Sequence, residues 1–400
     1  MRPLRELASI RSGIAKNSKA TVSDPIRVHY LRVANVQDGF LDLTDMSCIE
    51  VSRGDINRFS VLPGDVLMNE GGDLDKLGRG SIWRGEFQPC IHQNHVFVVR
   101  CGSSISPEYL TIWSSGATAR RYFLVAGKQT TNLASINKKS LGELPVVLPS
   151  QNEQCAISTA LSDVDTLLEG LDRLIAKKRD IKQSAMQQLL TGQSRLPGFS
   201  GEWNVKLLGD VAEVKTGPFG SLLHERDYVS DGVPIITVEH LGEFGVEHVN
   251  LPMVSEADCK RLNAYSLHVG DIVFSRVGSV DRNALIRKLE DGWLFSGRLL
   301  RVRPNESCIN SMFLSYQFHS EKFKLAVRTV AVGQTMASLN TRILNGIQVN
   351  LPSISEQTAI ATILSDMDAE ITVLETRRIK TRALKQAMMQ ELLTGRTRLI

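Results

Sequence analysis

The stretch LPSQNEQCAISTALSDVD at residues 148–165 returns as LPSISEQTAIATILSDMD at residues 351–368. The offset is 203 (351 − 148), and it holds without a gap to MQQLLTGQSRL at 186–196 and MQELLTGRTRLI at 389–400. Roughly half the aligned positions are identical, so the chain is an internal duplication and its organisation must be read from the repeat first.

Each copy reads as one long helix. Ser150 and Ser353 stand three residues before Glu153 and Glu356, the capping-box spacing in which serine and glutamate satisfy the orphan amides of a helix start. Apolar residues follow at Ile157, Leu161, Val164, Leu168, Leu171 and Ile175, and again at Ile360, Leu364, Met367, Ile371 and Leu374. Alternating steps of four and three form a heptad seam for another helix. Both seams then change phase, to Ile181 and to Ile379 with Leu384, as at a stutter. Gly192 and Gly395 suit left-handed C-caps, and Pro197 blocks continuation after the first.

The remainder is duplicated more loosely. FSVLPGDVLMN from Phe59 answers YSLHVGDIVFS from Tyr265, VFVVR ending at Arg100 answers LLRVR ending at Arg303, and ASIN at Ala134 answers ASLN at Ala337. LASIRSG from Leu7 answers VAEVKTG from Val211. Short β-rich runs between Gly, Pro and Asp turn signals give a mixed domain before each helix. The expected fold is α+β: two mixed α/β domains, 1–149 and 204–352, with helices at 150–192 and 353–395 and a linker at 193–203. The helices should pair antiparallel about a pseudo-twofold axis, returning the C-terminus beside Met1. A helix of this length spans about 60 Å, which would let the domains address DNA patches one to one-and-a-half turns apart at about 34 Å per turn.

Composition permits a polyanionic partner without demanding one. The net charge is +4, with 42% hydrophobic and 22% charged residues, as in an ordinary protein with buried cores. The six cysteines (48, 90, 101, 155, 259, 308) show no paired spacing and read as reduced thiols. With no apolar leader and no membrane-length run, a cytoplasmic protein is expected. Phosphate loops, G-x-G-x-x-G turns, H-E-x-x-H and the Asn/Asp-Pro-Pro-aromatic tetrad of amino-methyltransferases are missing from the sequence.

The duplicated domains agree at strand-like positions and differ in the loops between them. Asn and Gln can pair with adenine and Arg with guanine, while Lys and Gly-rich turns hold phosphates. The candidates are Asn69, Lys76, Arg79, His92, Gln93 and Asn94 in the first domain, and Ser275, Arg276, Arg282 and Arg298 in the second. Cys90, His92 and His95 do not make a metal site: a strand splits them between faces and no fourth ligand follows. The basic runs Lys177-Lys178-Arg179 and Arg377-Arg378 read as solvated helix faces, and Glu213 in EVK as ordinary surface.

Two variable domains alternating with near-identical helices, introduced by LPSQNEQ and LPSISEQ and closed by LLTGQSRLPGFSGEW and LLTGRTRL, resemble the specificity (S) subunit of type I restriction–modification enzymes. The resemblance covers the whole chain. It implies a non-catalytic subunit whose two target-recognition domains each read half of a split, asymmetric site on double-stranded DNA, with the helices setting the gap. It implies two modification subunits, which use S-adenosylmethionine to methylate adenine, and two restriction subunits, which use ATP and Mg2+. This chain itself would hold no cofactor. The loops 69–84, 91–95, 275–287 and 295–298 would then face DNA, adding Gly71, Gly72, Arg84, His95, Ser279 and Arg287, with Gln129 and Gln334 as weaker additions. A self-contained methyltransferase or nuclease, and a coiled-coil protein scaffold, are the alternative readings.

Overall fold

Both runs expected to be long helices form them, at Gln151–Leu189 and Ile354–Leu393. The computed structural model describes residues 1–15, 24–72, 77–129, 134–242, 245–331 and 338–399. The chain divides into two compact units: Met1–Asp172 with Thr376–Ile400, and Arg173–Glu375. Each unit therefore contains the start of one long helix and the end of the other.

Within each unit the two helical segments are packed antiparallel, and ion pairs record the direction. In the first unit Asp165 pairs with Lys385 and Asp172 with Arg378. In the second, Lys182 pairs with Asp368 and Lys178 with Glu370. The first two partners named in each unit are repeat mates, since 385 − 182 and 368 − 165 both equal the repeat offset of 203. Part of each basic run is thus directed at the opposite helix: beside Lys178, Arg179 reaches Glu375 at 2.6 Å, and Arg378 reaches Asp172 at 2.9 Å.

The first part of the apolar seam is buried as expected, with Leu161 and Leu364 both 0% exposed. Its continuation is a correction. Ile181, Ile379 and Leu384 are 45%, 64% and 56% exposed. The inward positions go instead to buried Lys182 and Thr381. Lys182 is acceptable inside because Asp368 accepts from its ammonium and Tyr316 donates to the same carboxylate at 2.7 Å; an unpaired buried charge would not be.

The helix starts are half of the expected capping box. Ser150 and Ser353 accept from the Glu153 and Glu356 amides at 3.3 and 3.4 Å. The two glutamates, each 1% exposed, take arginine partners instead. Arg398 donates through Nε and Nη2 to Glu153, and Arg195 does the same to Glu356 at 2.6 and 2.7 Å. These arginines close the two repeated LLTG phrases, so each phrase ends by gripping the start of the helix it has run back to. Gly192 and Gly395, both at φ +73°, make the left-handed turn that permits it. In the first unit Leu392 and Leu393 complete a core with Leu4, Leu7 and Trp113, which returns the end of the chain to its beginning.

The next residue of each motif anchors helix to domain. Gln154, 1% exposed, accepts from Ser106 N at 2.9 Å and donates to the Ser104 and Pro149 carbonyls at 3.0 Å. Gln357 repeats the arrangement with Asn310 N, Cys308 O and Pro352 O.

The β-structure is also repeated. The first unit has an antiparallel sheet in the order Ala8–Ser12, Val96–Cys101, Val66–Asn69, Gly80–Ile82. In the second unit the order is Ala212–Thr216, Leu299–Pro304, Ile272–Ser275, Asn283–Leu285. A second sheet in each unit includes one parallel pair, Ile26–Leu31 with Cys90–His92 and Val233–Ile236 with Leu294–Phe295. The aspartate of each "GD" turn braces the main sheet: Asp65, side chain 1% exposed, is bonded twice by Arg100 at 2.7 Å, and Asp271, 2% exposed, twice by Arg303 at 2.7 Å.

Candidate nucleic-acid interface

Four backbone segments converge at one end of each main sheet. In the first unit the strand ending at Asn69 continues to Glu70, whose amide donates to His95 O at 2.9 Å and whose carbonyl accepts from Ile136 N at 2.8 Å. Asn94 N donates in turn to Ile14 O at 3.0 Å. In the second unit Arg276 N donates to Arg298 O at 2.9 Å, Arg276 O accepts from Leu339 N at 2.8 Å, and Gly217 N donates to Leu299 O at 3.1 Å. The asparagines of ASIN and ASLN lie just beyond and cap short helices, Asn137 accepting from Ser140 N and Asn340 from Ile343 N, each at 2.8 Å. Side chains on such loops start from backbone already fixed by the sheet.

Several expected residues stand in this cluster. Gly71 and Gly72 pair with Ser135 and Ala134, and Arg79 O accepts from Asn69 N at 2.9 Å. Gln93 and Asn94 are half-buried and His95 is exposed. His95 Nδ1 lies 2.8 Å from Glu70 Oε2, and Nε2 lies 3.2 Å from Asn94 Nδ2. In the second unit Arg276 donates from Nη1 to Gly297 O at 3.3 Å, and Ser279, Arg282 and Arg298 are exposed. Arg282 also donates to Leu241 O.

Three expected contacts are interior instead. Asn69 is 4% exposed and donates to Val36 O at 2.8 Å. Ser275, 0% exposed, donates to Val277 O at 3.0 Å. His92, 1% exposed, has Nδ1 2.7 Å from Val96 O, and burial drives its pKa down to about 4, so the ring is neutral and its Nδ1–H donates. These three hold the loops from beneath and have no free edge to offer a base.

Two more lie at the opposite end of the sheet. Antiparallel pairing sets Gly80 opposite Met68 but Ile82 opposite Val66, so Arg84 lies at the end away from Asn69. Likewise Leu285 faces Ile272 and Ile286 N donates to Asp271 O at 2.8 Å, which carries Arg287 away from Ser275. Gln129 contributes backbone pairing with Ala134; Lys76 and Gln334 fall outside the described residues.

Sequence reasoning missed the loop that follows the first strand of each sheet. A Cβ on Gly13 would stand 2.0 Å from His92 O, and one on Gly217 would stand 2.2 Å from Ser296 O. The glycine that closes LASIRSG and VAEVKTG was the signal. It is required because the loop backbone lies directly on the neighbouring turn.

Comparison with known proteins bears on the fold. The family profile "Type I restriction modification DNA specificity domain" matches residues 200–382. The specificity subunit assigned to the type I restriction enzyme MjaX of Methanocaldococcus jannaschii is 24% identical over 411 residues, covering 100% of this chain and 93% of the relative. The EcoKI specificity subunit of Escherichia coli K12 is 25% identical over 194 residues, 47% of this chain and 41% of that protein. The crystal structure of a type I S subunit from M. genitalium superposes with a TM-score of 0.58 at 15% identity, covering 98% and 95% of the two chains. The HsdS subunit of Thermoanaerobacter tengcongensis gives 0.54 at 16% identity, covering 98% and 96%. Residues 200–382 match the type I restriction modification DNA specificity domain, and the whole chain is similar to type I restriction–modification specificity (S) subunits. Such subunits are the DNA-specificity components of their systems and are generally non-catalytic. Among the described residues no helix is long and apolar enough to cross a membrane.

Proposed function

We propose that each unit reads one half of a bipartite, asymmetric site on double-stranded DNA, with the cluster at the end of its main sheet as the reading surface. The observation that carries this is the contrast between scaffold and display. Two equivalent backbone bonds fix both clusters, Glu70 N to His95 O with Ile136 N to Glu70 O in one and Arg276 N to Arg298 O with Leu339 N to Arg276 O in the other, yet one presents Gln93, Asn94 and His95 and the other Arg276, Ser279, Arg282 and Arg298. Amide side chains suit adenine and guanidiniums suit guanine or phosphate, so two different half-sites follow. Affinity should fall with salt as phosphate contacts release counterions.

The long helices set the gap and carry two modification subunits, which methylate adenine from S-adenosylmethionine; two restriction subunits complete the assembly and use ATP and Mg2+ to cleave unmodified DNA. Support comes from apolar side chains left uncovered on the helices: Leu174 and Ile181 in one unit, and Leu167, Ile379 and Leu384 in the other, are 39% to 64% exposed. A partner helix would cover them. This chain's part is to position the methyltransferase, which must extrude its adenine from the stack.

The test is methylome sequencing of cells carrying this chain with its modification subunit. Gln93→Ala with Asn94→Ala should relax bases in one half-site, and Arg298→Ala bases in the other. A palindromic methylated target, or the same half-site altered by both variants, overturns the assignment. Deleting four residues within the central helix shortens it by about 6 Å and should change the gap while both half-sites persist.

A further inference from the structure

The loop after the first sheet strand presents different side chains in the two units. In the second unit Gly217 and Gly297 lock it onto the Ser296–Arg298 turn: a Cβ on Gly217 would stand 2.2 Å from Ser296 O, and one on Gly297 would stand 2.6 Å from Pro218 O and 2.8 Å from Phe219 Cβ. The fixed backbone displays Phe219 with 62% of its surface exposed. Gly297 is what makes room for it. In the first unit the equivalent glycine, Gly13, is locked the same way onto His92 and Gln93, but two residues on stands the small Ala15. The turn beneath carries Asn94, half-buried, where the second unit has Gly297. The two units therefore differ here: the first has an asparagine on the turn and a small residue on the loop, the second a glycine on the turn and an exposed phenylalanine on the loop.

The surroundings of Phe219 identify what it meets. Arg298 is exposed on the turn that seats it, and Arg276 donates to the carbonyl of Gly297 between them. Arg298 is also close enough to Tyr228 to oppose the rise that burial causes in that phenol's pKa. A rigidly held aromatic ring flanked by guanidiniums fits a polyanion with flat apolar faces at its centre, which is nucleic acid.

We propose that Phe219 is a DNA wedge, pressed against the base stack of the half-site read by the second unit, and that the other half-site has no counterpart because Ala15 stands there. The proposal rests on the half-site reading above. It assigns specificity to a residue that makes no base-edge hydrogen bond: a ring pressed on the stack favours steps that unstack easily, so the second half-site should be read partly through deformability.

The experiment uses the full chain assembled with its modification subunits, after the methylated sequence has been mapped. Duplexes carry 2-aminopurine in one half-site or the other. Wild type should enhance fluorescence in the second half-site on binding, and Phe219→Ala should abolish that rise while weakening DNA binding roughly ten-fold or more. Phe219→Trp should bind and show its own indole quenched by DNA. Size-exclusion chromatography checks that the Ala variant assembles like wild type. Wild-type affinity in Phe219→Ala, or a loss of assembly in place of DNA binding, overturns the wedge and, in the latter case, makes Phe219 a protein contact. Absence of any sequence-selective methylation by the wild-type complex overturns the half-site reading itself, a result distinguishable from the first.

Discussion

Asp271 tests the interpretation of the repeated "GD" turn. Its side chain is 2% exposed and receives two bonds of 2.7 Å from Arg303, whose side chain is 32% exposed, and one of 2.8 Å from His268 N. Asp271→Asn keeps an acceptor for His268 but sets an amide where the guanidinium needs a carboxylate. Fully buried pairs cost about 3–5 kcal/mol to break and exposed pairs are worth about 0–1 kcal/mol. With one partner buried and the other one-third exposed, the loss should be about 2–3 kcal/mol. For a urea slope of about 2–3 kcal/mol/M, the unfolding midpoint of the second unit should fall by about 1 M, whereas Asp65→Asn should act on the first unit alone. The assay is urea denaturation of the full chain followed by tryptophan fluorescence, with a double-mutant cycle adding Arg303→Met. A midpoint shift under about 0.2 M, or no coupling between Asp271 and Arg303 in the cycle, would show that the turn does not depend on this pair.

Three further outcomes are expected. His92 has a folded pKa of about 4 against an ordinary value of 6.5, so the unfolded chain binds more protons between these values; its contribution is complete above about pH 6.5 and is lost as pH falls toward 4. That amounts to about 3 kcal/mol at most, and His92→Asn should flatten the stability–pH profile of the first unit over that window. Ile181→Ser should change stability by less than about 0.5 kcal/mol, whereas Leu364→Ala should cost about 2–5 kcal/mol; equal costs in thermal melts would mean that Ile181 is buried after all. Gln357→Leu should cost about 2–4 kcal/mol, because three buried backbone groups lose their partner, and amide exchange at Asn310 should accelerate; unchanged exchange there would deny the anchor.

Much of the architecture was legible along the chain because it is local or periodic. The duplication at 203 residues, the glycine caps, the helix seam as far as Ile175 and the antiparallel return all follow from patterns within a few turns. The candidate loops were legible only as loops. Which of their side chains face outward depends on strand register, and that register buried Asn69, His92 and Ser275 and carried Arg84 and Arg287 to the opposite end of the sheet.

The sequence by itself determined two repeated units, each closed by a helix and the phrase LLTG. Only the tertiary structure decided what those phrases do. Glu153 looked like a partner for the amide of Ser150, three residues away, but takes Arg398, 245 residues away; Glu356 takes Arg195 in the same manner, 161 residues away. A guanidinium offers a buried carboxylate two charge-assisted bonds, which outweigh the single backbone bond of a capping box. No local spacing reports such a partner, because it comes within reach only after the helices have run antiparallel.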